Sequence, residues 1–183
     1  MAFTNTPLYG GAITVHLPSA YADTSQIREV PDHQEVYLDT NGYSSVVIEI
    51  LEYVHKNSND EALQYHFADL VDGMGDSTTI LKQDKVVFKE LSDKPALALT
   101  FIQTPVPALP SRKTPEFVYI HLLLLRLKEQ GTDVMVTVNV PHYKGEYEEA
   151  AEGQETQLMK DGGLVMEGVL QTFKVVEWGL FDG

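Results

Sequence analysis

The chain has 183 residues, 43% of them hydrophobic, enough to bury the core of one compact domain. It carries 13 Lys+Arg against 27 Asp+Glu, a formal net charge of −14. A field of that sign repels phosphate backbones and anionic membranes, which sets nucleic-acid binding aside and favours basic partners, although an acidic balance also serves solubility alone. There is no cysteine, so disulfides and thiolate zinc sites are excluded and a reduced cytosolic or nuclear setting fits. "MAFTNTPLYGG" shows neither a basic n-region nor an apolar core, and "YIHLLLLRL" is too short for a bilayer and broken by Arg126. These features predict a soluble intracellular protein.

In chain order, residues 8–17, "LYGGAITVHL", open on a glycine pair and then alternate, predicting a short strand that Pro18 ends. "SAYADTSQIRE" reads as a turn and one helical turn, capped by Asp23 or Ser25 and stopped by Pro31. "QEVYLD" alternates as a strand. Residues 44–56, "SSVVIEILEYVHK", fit two periods. Their β-branched residues favour a strand, but Val47, Ile50, Leu51 and Val54 share one helical face opposite Glu49, Glu52 and Lys56, so the spacing predicts a helix capped by Ser44 or Ser45. "NDEALQYHFADLV" is a second helix, with Asn59 as cap and Leu63, Phe67 and Leu70 as its apolar stripe. "KVVFKEL" and "ALALTFIQT" are strands around "SDKP", and "PVPALPSRKTP" is an exposed connector. "EFVYIHLLLLRL" and "DVMVTVNV" form a long hairpin turned by Gly131, with Leu122 to Leu125 covered on both sheet faces and Arg126 in need of a partner or an end. The acidic stretch "HYKGEYEEAAEGQETQ" predicts a mobile loop within 143–163. A last helix is expected over "GGLVMEGVLQTFKVVEW", with Val165, Val169, Phe173 and Val176 on one stripe, and Trp178, Leu180 and Phe181 tying down the C-terminus. The total is about six strands and three helices. That is an α+β domain, an antiparallel sheet with helices packed on its faces.

Few residues point to covalent chemistry. There is no phosphate-cradling G-x-x-x-x-G-K-[ST], no G-x-G-x-x-G after a strand and no G-x-S-x-G elbow. The six histidines form no H-x-x-x-H pair, and His66 reads as an interior or boundary residue. Asp69 and Asp72 fit a solvated helix end. Glu49 and Glu52 offer two carboxylates on one helical face, but acid–base work needs environments that drive two pKa values apart, and a wet face supplies none. The stretch "DTSQIREVPDHQEV", residues 23–36, differs from a linker because Ile27, Val30, Pro31 and Val36 interleave with Asp23, Arg28, Glu29, Asp32 and Glu35 and are expected to hold those charges in place. An ordered surface connection with Arg28 paired to a nearby acid explains the same pattern.

"LYGGAI", a proline shortly after it, and "DTSQIREVPDHQEV" together resemble the Ran guanine nucleotide release factor family, small nuclear-import factors of the Mog type. "VVIEILE", "YHFADL", "LLRLKEQGTDVMVTVNVP" and "VVEWGLF" follow in the same order, so the resemblance spans nearly the whole chain, the N-terminal block being its specific part. It implies an α/β/α sandwich, a six-stranded antiparallel sheet flanked by helices on both faces, related to photosystem extrinsic proteins. It further implies a single Ran-binding domain over 1–183, monomeric and without cofactor, found in nucleus and cytoplasm, a regulator rather than an enzyme that promotes loss of nucleotide from Ran. The implied Ran-facing residues are Asp23, Arg28, Glu29, Asp32, Gln34, Glu35, Glu49 and Glu52. Tyr65 stands where some members carry tryptophan, a difference expected to affect packing. Two other classes stay open on the residues alone: an acidic adaptor for another basic protein, and a carboxylate hydrolase with Glu49 or Glu52 in a concave pocket.

Overall fold

The computed structural model describes residues 1–106 and 113–182. Ten strands and two α-helices follow in the order β1 (Phe3–Leu8), β2 (Ile13–Pro18), β3 (Tyr21–Asp23), β4 (Gln34–Asp39), β5 (Ser45–Glu52), α1 (Asn59–Val71), β6 (Ser77–Val86), β7 (Ala96–Thr104), β8 (Phe117–Leu127), β9 (Thr132–His142), α2 (Gln157–Thr172) and β10 (Lys174–Val175). They form an antiparallel seven-stranded sheet, β3-β4-β5-β9-β8-β7-β6, and a three-stranded sheet, β1-β2-β10. The class is α+β as expected, but the main sheet has seven strands and the N-terminal hairpin stands apart from it. Half of the proline-rich connector 104–115, residues 107–112, lies outside the described residues.

The segment 45–52 is a strand and not a helix. Val46 and Ile48 pair with Val138 and Val136 across β9, and Val47 with Val36 across β4. Eight residues are too few for the 3.6-residue period to outweigh pairing on both edges by β-branched side chains. The strand also changes the geometry of its acids. Residues three apart point to opposite sheet faces, so Glu49 and Glu52 do not share one.

The long hairpin is as its sequence predicts. Gly131 turns it in the left-handed region, φ 60°, and Leu122 to Leu125 are fully buried. One face of the sheet packs Val134, Val136, Val138, Leu123 and Leu125 against β2 and Val165, Val169 and Phe173 at the end of α2. The other packs Leu97, Leu99, Phe101 and Leu122 against Ala62 and Leu63 of α1. Helices therefore cover both faces, and burial of these aliphatic side chains is the main stabilising term.

Several boundaries differ from the expectation. Ser58, not Asn59, caps α1, its Oγ accepting from Glu61 N–H at 3.1 Å. "KVVFKEL" straddles the end of β6: the strand stops at Val86, and Phe88 is buried in the turn beyond. α2 begins earlier, at Gln157, capped by Thr156 through Met159 N–H at 3.1 Å. It ends at Thr172, so Val176 is off the helix and exposed. Close approach explains Gly162, where an added Cβ would lie 2.8 Å from Val140 Cγ2 on β9. The acidic loop is shortened to 143–156, and Tyr147 in it packs edge-on against His142, ring centroids 4.7 Å apart. At the C-terminus Leu180 and Phe181 pack on the core while Trp178 stays partly exposed.

Arg126 finds its partner inside the hairpin. Its Nε lies 2.8 Å from Asp133 Oδ1, directly across β9, an ionic contact off the line of a hydrogen bond. Its Nη2 donates to Val54 O at 2.6 Å, and its guanidinium stacks 3.9 Å over the Tyr53 ring. Asp133 Oδ2 meets His66 Nε2 at 2.8 Å and accepts from Val54 N–H at 3.1 Å. This network is buried, and it locks α1 and the chain after β5 to the hairpin.

Candidate functional site, an acidic edge around Tyr9

The C-terminal end of the 23–36 stretch and the LYGG turn meet at the start of β4. Asp23 Oδ1 accepts from Ser25 N–H at 2.9 Å, capping a single 3-10 turn over Thr24–Gln26 as expected. Thr24 O then accepts from Ile27 N–H at 3.0 Å and Arg28 N–H at 3.1 Å. Pro31 O accepts from Gln34 N–H at 2.9 Å, which leads into β4. The segment is thus ordered by backbone hydrogen bonds, but its anchors are only in part those expected. Of the expected anchors only Val36 is buried; Ile27 is 79% exposed, Pro31 is exposed and Val30 is partly buried, and buried Thr24, not an apolar residue, holds the other end.

Tyr9 ties this segment to the sheet. Its backbone adopts φ 51°, and it is the one described non-glycine residue with positive φ. Gly10 (φ 68°) and Gly11 (φ 94°) continue the left-handed path that a Cβ disfavours, so the glycine pair supplies backbone freedom. A left-handed tyrosine costs on the order of 1–3 kcal/mol and persists only where its surroundings impose it. Here Tyr9 N–H donates to Glu35 Oε1 at 2.7 Å, and its hydroxyl points at the carbonyls of His33 (2.9 Å) and Ile48 (3.1 Å). Burial raises the Tyr9 phenol well above its usual range, and the charges of Glu35 and Glu49 add to that.

Of the eight residues named from the sequence, the structure joins four around this tyrosine. Gln34 and Glu49 are register partners, and Gln34 Nε2 donates to Glu49 Oε2 at 3.1 Å. His33 Nε2 lies 3.9 Å from the same oxygen. Glu35 points to the other face of β4, where burial chiefly raises its pKa; the Tyr9 N–H opposes this and the nearby Asp23 adds to it. Asp23 thus acts on Glu35, and Glu35 and Glu49 both act on the Tyr9 phenol between them. Arg28, Glu29 and Asp32 sit exposed on the connecting loop, and Arg28 makes no ion pair among the described residues. Glu52 ends β5 on the face opposite Glu49 and borders a recess of about 220 Å³ with Tyr65 and Asp69. The lining of that recess holds no serine, threonine or lysine, and His66 within it is committed to Asp133.

The arrangement is thus a rim wrapped around the end of two strands rather than a flat patch. It offers fixed carboxylates and two basic groups, Arg28 and His33. It can accept hydrogen bonds and ion pairs from a basic surface, and it presents no nucleophile with an activating base. Tyr9 and His33 were not identified from the sequence. The unusual Tyr-Gly-Gly order was their available signal.

Comparison with known proteins agrees with this fold. The family described as Ran-interacting Mog1 protein matches residues 6–141. A Ran guanine nucleotide release factor of Danio rerio is 27% identical over 187 residues, covering 96% of this chain and 98% of its own. Nuclear import protein MOG1 of Saccharomyces cerevisiae is 30% identical, covering 95% of this chain and 83% of its own. The crystal structure of the S. cerevisiae Ran-binding protein Mog1p superposes with a TM-score of 0.78 at 28% identity, over 99% of both chains. Cyanobacterial PsbP from Synechocystis shares the fold alone, with a TM-score of 0.58 at 9% identity, as the expected kinship to photosystem extrinsic proteins requires. On a match that spans well over half its length, the chain belongs to the Ran-interacting Mog1 family.

Proposed function

We propose that this protein binds the small GTPase Ran and promotes release of its guanine nucleotide, supporting protein import into the nucleus. It acts as a single Ran-binding domain, a monomer present in nucleus and cytoplasm, and regulates without covalent catalysis. Its relatives named for Ran release and nuclear import support the activity. The observation that carries the site is the rim around Tyr9, where Glu49 is held by Gln34 through one oxygen while the other has no partner among the described residues.

A carboxylate so held needs no further ordering when it meets a GTPase. Brought to the nucleotide pocket, it competes with phosphate for the P-loop lysine or repels the phosphates and their magnesium ion, which weakens nucleotide binding. Asp23, Glu29, Asp32, Glu35 and Glu52 add to the negative field of the same end of the molecule and, with the net charge of −14, draw in a basic surface. Arg28, exposed and without an ion pair among the described residues, gives the acidic rim a positive group that helps set the orientation of docking.

The test is release of labelled GDP and GTP from purified Ran. Acceleration by this protein, fading as salt rises past the screening range, supports the reading. No acceleration together with no binding by titration overturns it.

A further inference from the structure

A second concave region lies away from the Tyr9 rim, between α2 and the β6-β7-β8 end of the sheet. It is a cleft of about 770 Å³, within the size range of small-molecule sites. Ile102, Tyr119, Met159 and Met166 line it, and Leu81 and Leu164 at its mouth are each half exposed. The ladder between β6 and β7 slips between Ile80 and Lys82, leaving Leu81 out of register at the opening.

One polar group in this apolar cleft is unsatisfied. His121 is only 5% exposed; its Nδ1 meets Thr100 Oγ1 at 2.8 Å, while its Nε2 is buried with no partner among the described residues. An unpaired buried nitrogen costs about 1–3 kcal/mol and is uncommon in native structures. Burial pushes His121 down to about 4, so the imidazole is neutral at pH 7. The charges sit elsewhere: Lys82, Lys160 and Glu155 belong to the lining but are exposed, and Lys82 pairs with Asp84 at 3.1 Å.

We propose that this cleft binds a small neutral aliphatic alcohol, its hydrocarbon body against Ile102, Met159 and Met166 and its hydroxyl on His121 Nε2. A hydroxyl both donates and accepts, so it satisfies that nitrogen in either tautomer. A carboxylate would have to give up its hydration to reach this buried neutral ring, whereas a hydroxyl brings no charge to it. The methionines suit an adaptable apolar wall.

Octan-1-ol is the probe, followed by amide NMR shifts on the full chain, with octanoate as the charged comparator. Saturable shifts confined to residues 79–82, 100–102, 119–121 and 153–166 are expected, with octanoate weaker. His121→Phe keeps a planar aromatic ring without the nitrogen and should weaken octan-1-ol about tenfold, the loss of one buried hydrogen bond. Gly163→Trp, at a helix position where an added Cβ meets nothing within 4 Å, should fill the cleft and abolish the shifts without unfolding the chain. Non-saturating shifts, or binding that survives Gly163→Trp, overturn the site. Octanoate binding more tightly than octan-1-ol, or a folded His121→Phe variant with unchanged affinity, overturns the alcohol assignment.

Discussion

Two charged clusters lie at neighbouring ends of the same sheet and are built in opposite ways. At the hairpin, Arg126 and Asp133 are buried and spend their charges on one another, with His66 of α1 and the backbone of Val54 completing the network. At the start of β4, Glu35 and Glu49 are half buried, yet among the described residues one Glu49 oxygen has no partner and Arg28 makes no ion pair. The first closes upon itself and holds elements together. The second is held in place by a backbone turn and leaves its charge available. Fixed charge without an internal partner is the reason the Tyr9 rim is proposed as the docking surface.

The largest test of this contrast is Asp133→Asn. It leaves Arg126 buried without its counter-charge and should cost about 3–5 kcal/mol in urea unfolding. Ran affinity per folded molecule should be unchanged; a selective loss of affinity would mean the two clusters are not separate. Next is Glu49→Lys combined with Glu52→Lys. Both side chains reach solvent, so folding should stay normal while Ran affinity falls at least about tenfold at low salt. Because the two acids point to opposite faces, the single variants sharpen the result. Glu49→Lys should account for most of the loss, and an equal loss from Glu52→Lys would place the contact on both faces.

Tyr9→Phe removes the hydroxyl contacts to His33 and Ile48 and should cost about 0.5–1.5 kcal/mol of stability. It should also slow nucleotide release several-fold by loosening the 33–35 segment. Stability lost with release unchanged would make Tyr9 a structural residue only. Glu35→Gln keeps an acceptor for Tyr9 N–H and removes a charge that burial disfavours. With its pKa raised in the fold, Glu35 stabilises below its ordinary value and loses that contribution as pH rises through the raised one. Relative to the variant, the wild type should therefore be more stable near pH 4 than at pH 7, as read from thermal unfolding across that range. The smallest stability effect is expected at Ile27→Ala, within about 0.5 kcal/mol, because that side chain is exposed. A measurable loss of Ran affinity there would add an apolar contact to the rim.

How much of this was legible in the sequence depended on how local each signal was. The β8–β9 hairpin announces itself because its apolar runs and Gly131 lie in one continuous stretch. The need of Arg126 for a partner was equally plain. β5 was not, because eight residues satisfy both periods and only pairing with β4 and β9 decides between them. That error placed Glu49 and Glu52 on one face. The separate three-stranded sheet was hidden too, since β10 is two residues long and pairs with β2 across most of the chain. Tyr9 acts through contacts 26 and 39 residues away, which no spacing rule reaches. The resemblance supplied the acidic residues, and the structure sorts them into those grouped at Tyr9, those on the loop, and Glu52 on its own.

The most direct measurement is the rate of labelled nucleotide release from purified Ran at low salt, with wild-type protein beside the folded Glu49→Lys, Glu52→Lys double variant. Release accelerated by the wild type and returned near the spontaneous rate with the variant is the predicted result. Equal acceleration by both proteins would contradict the assignment of the acidic rim as the acting surface.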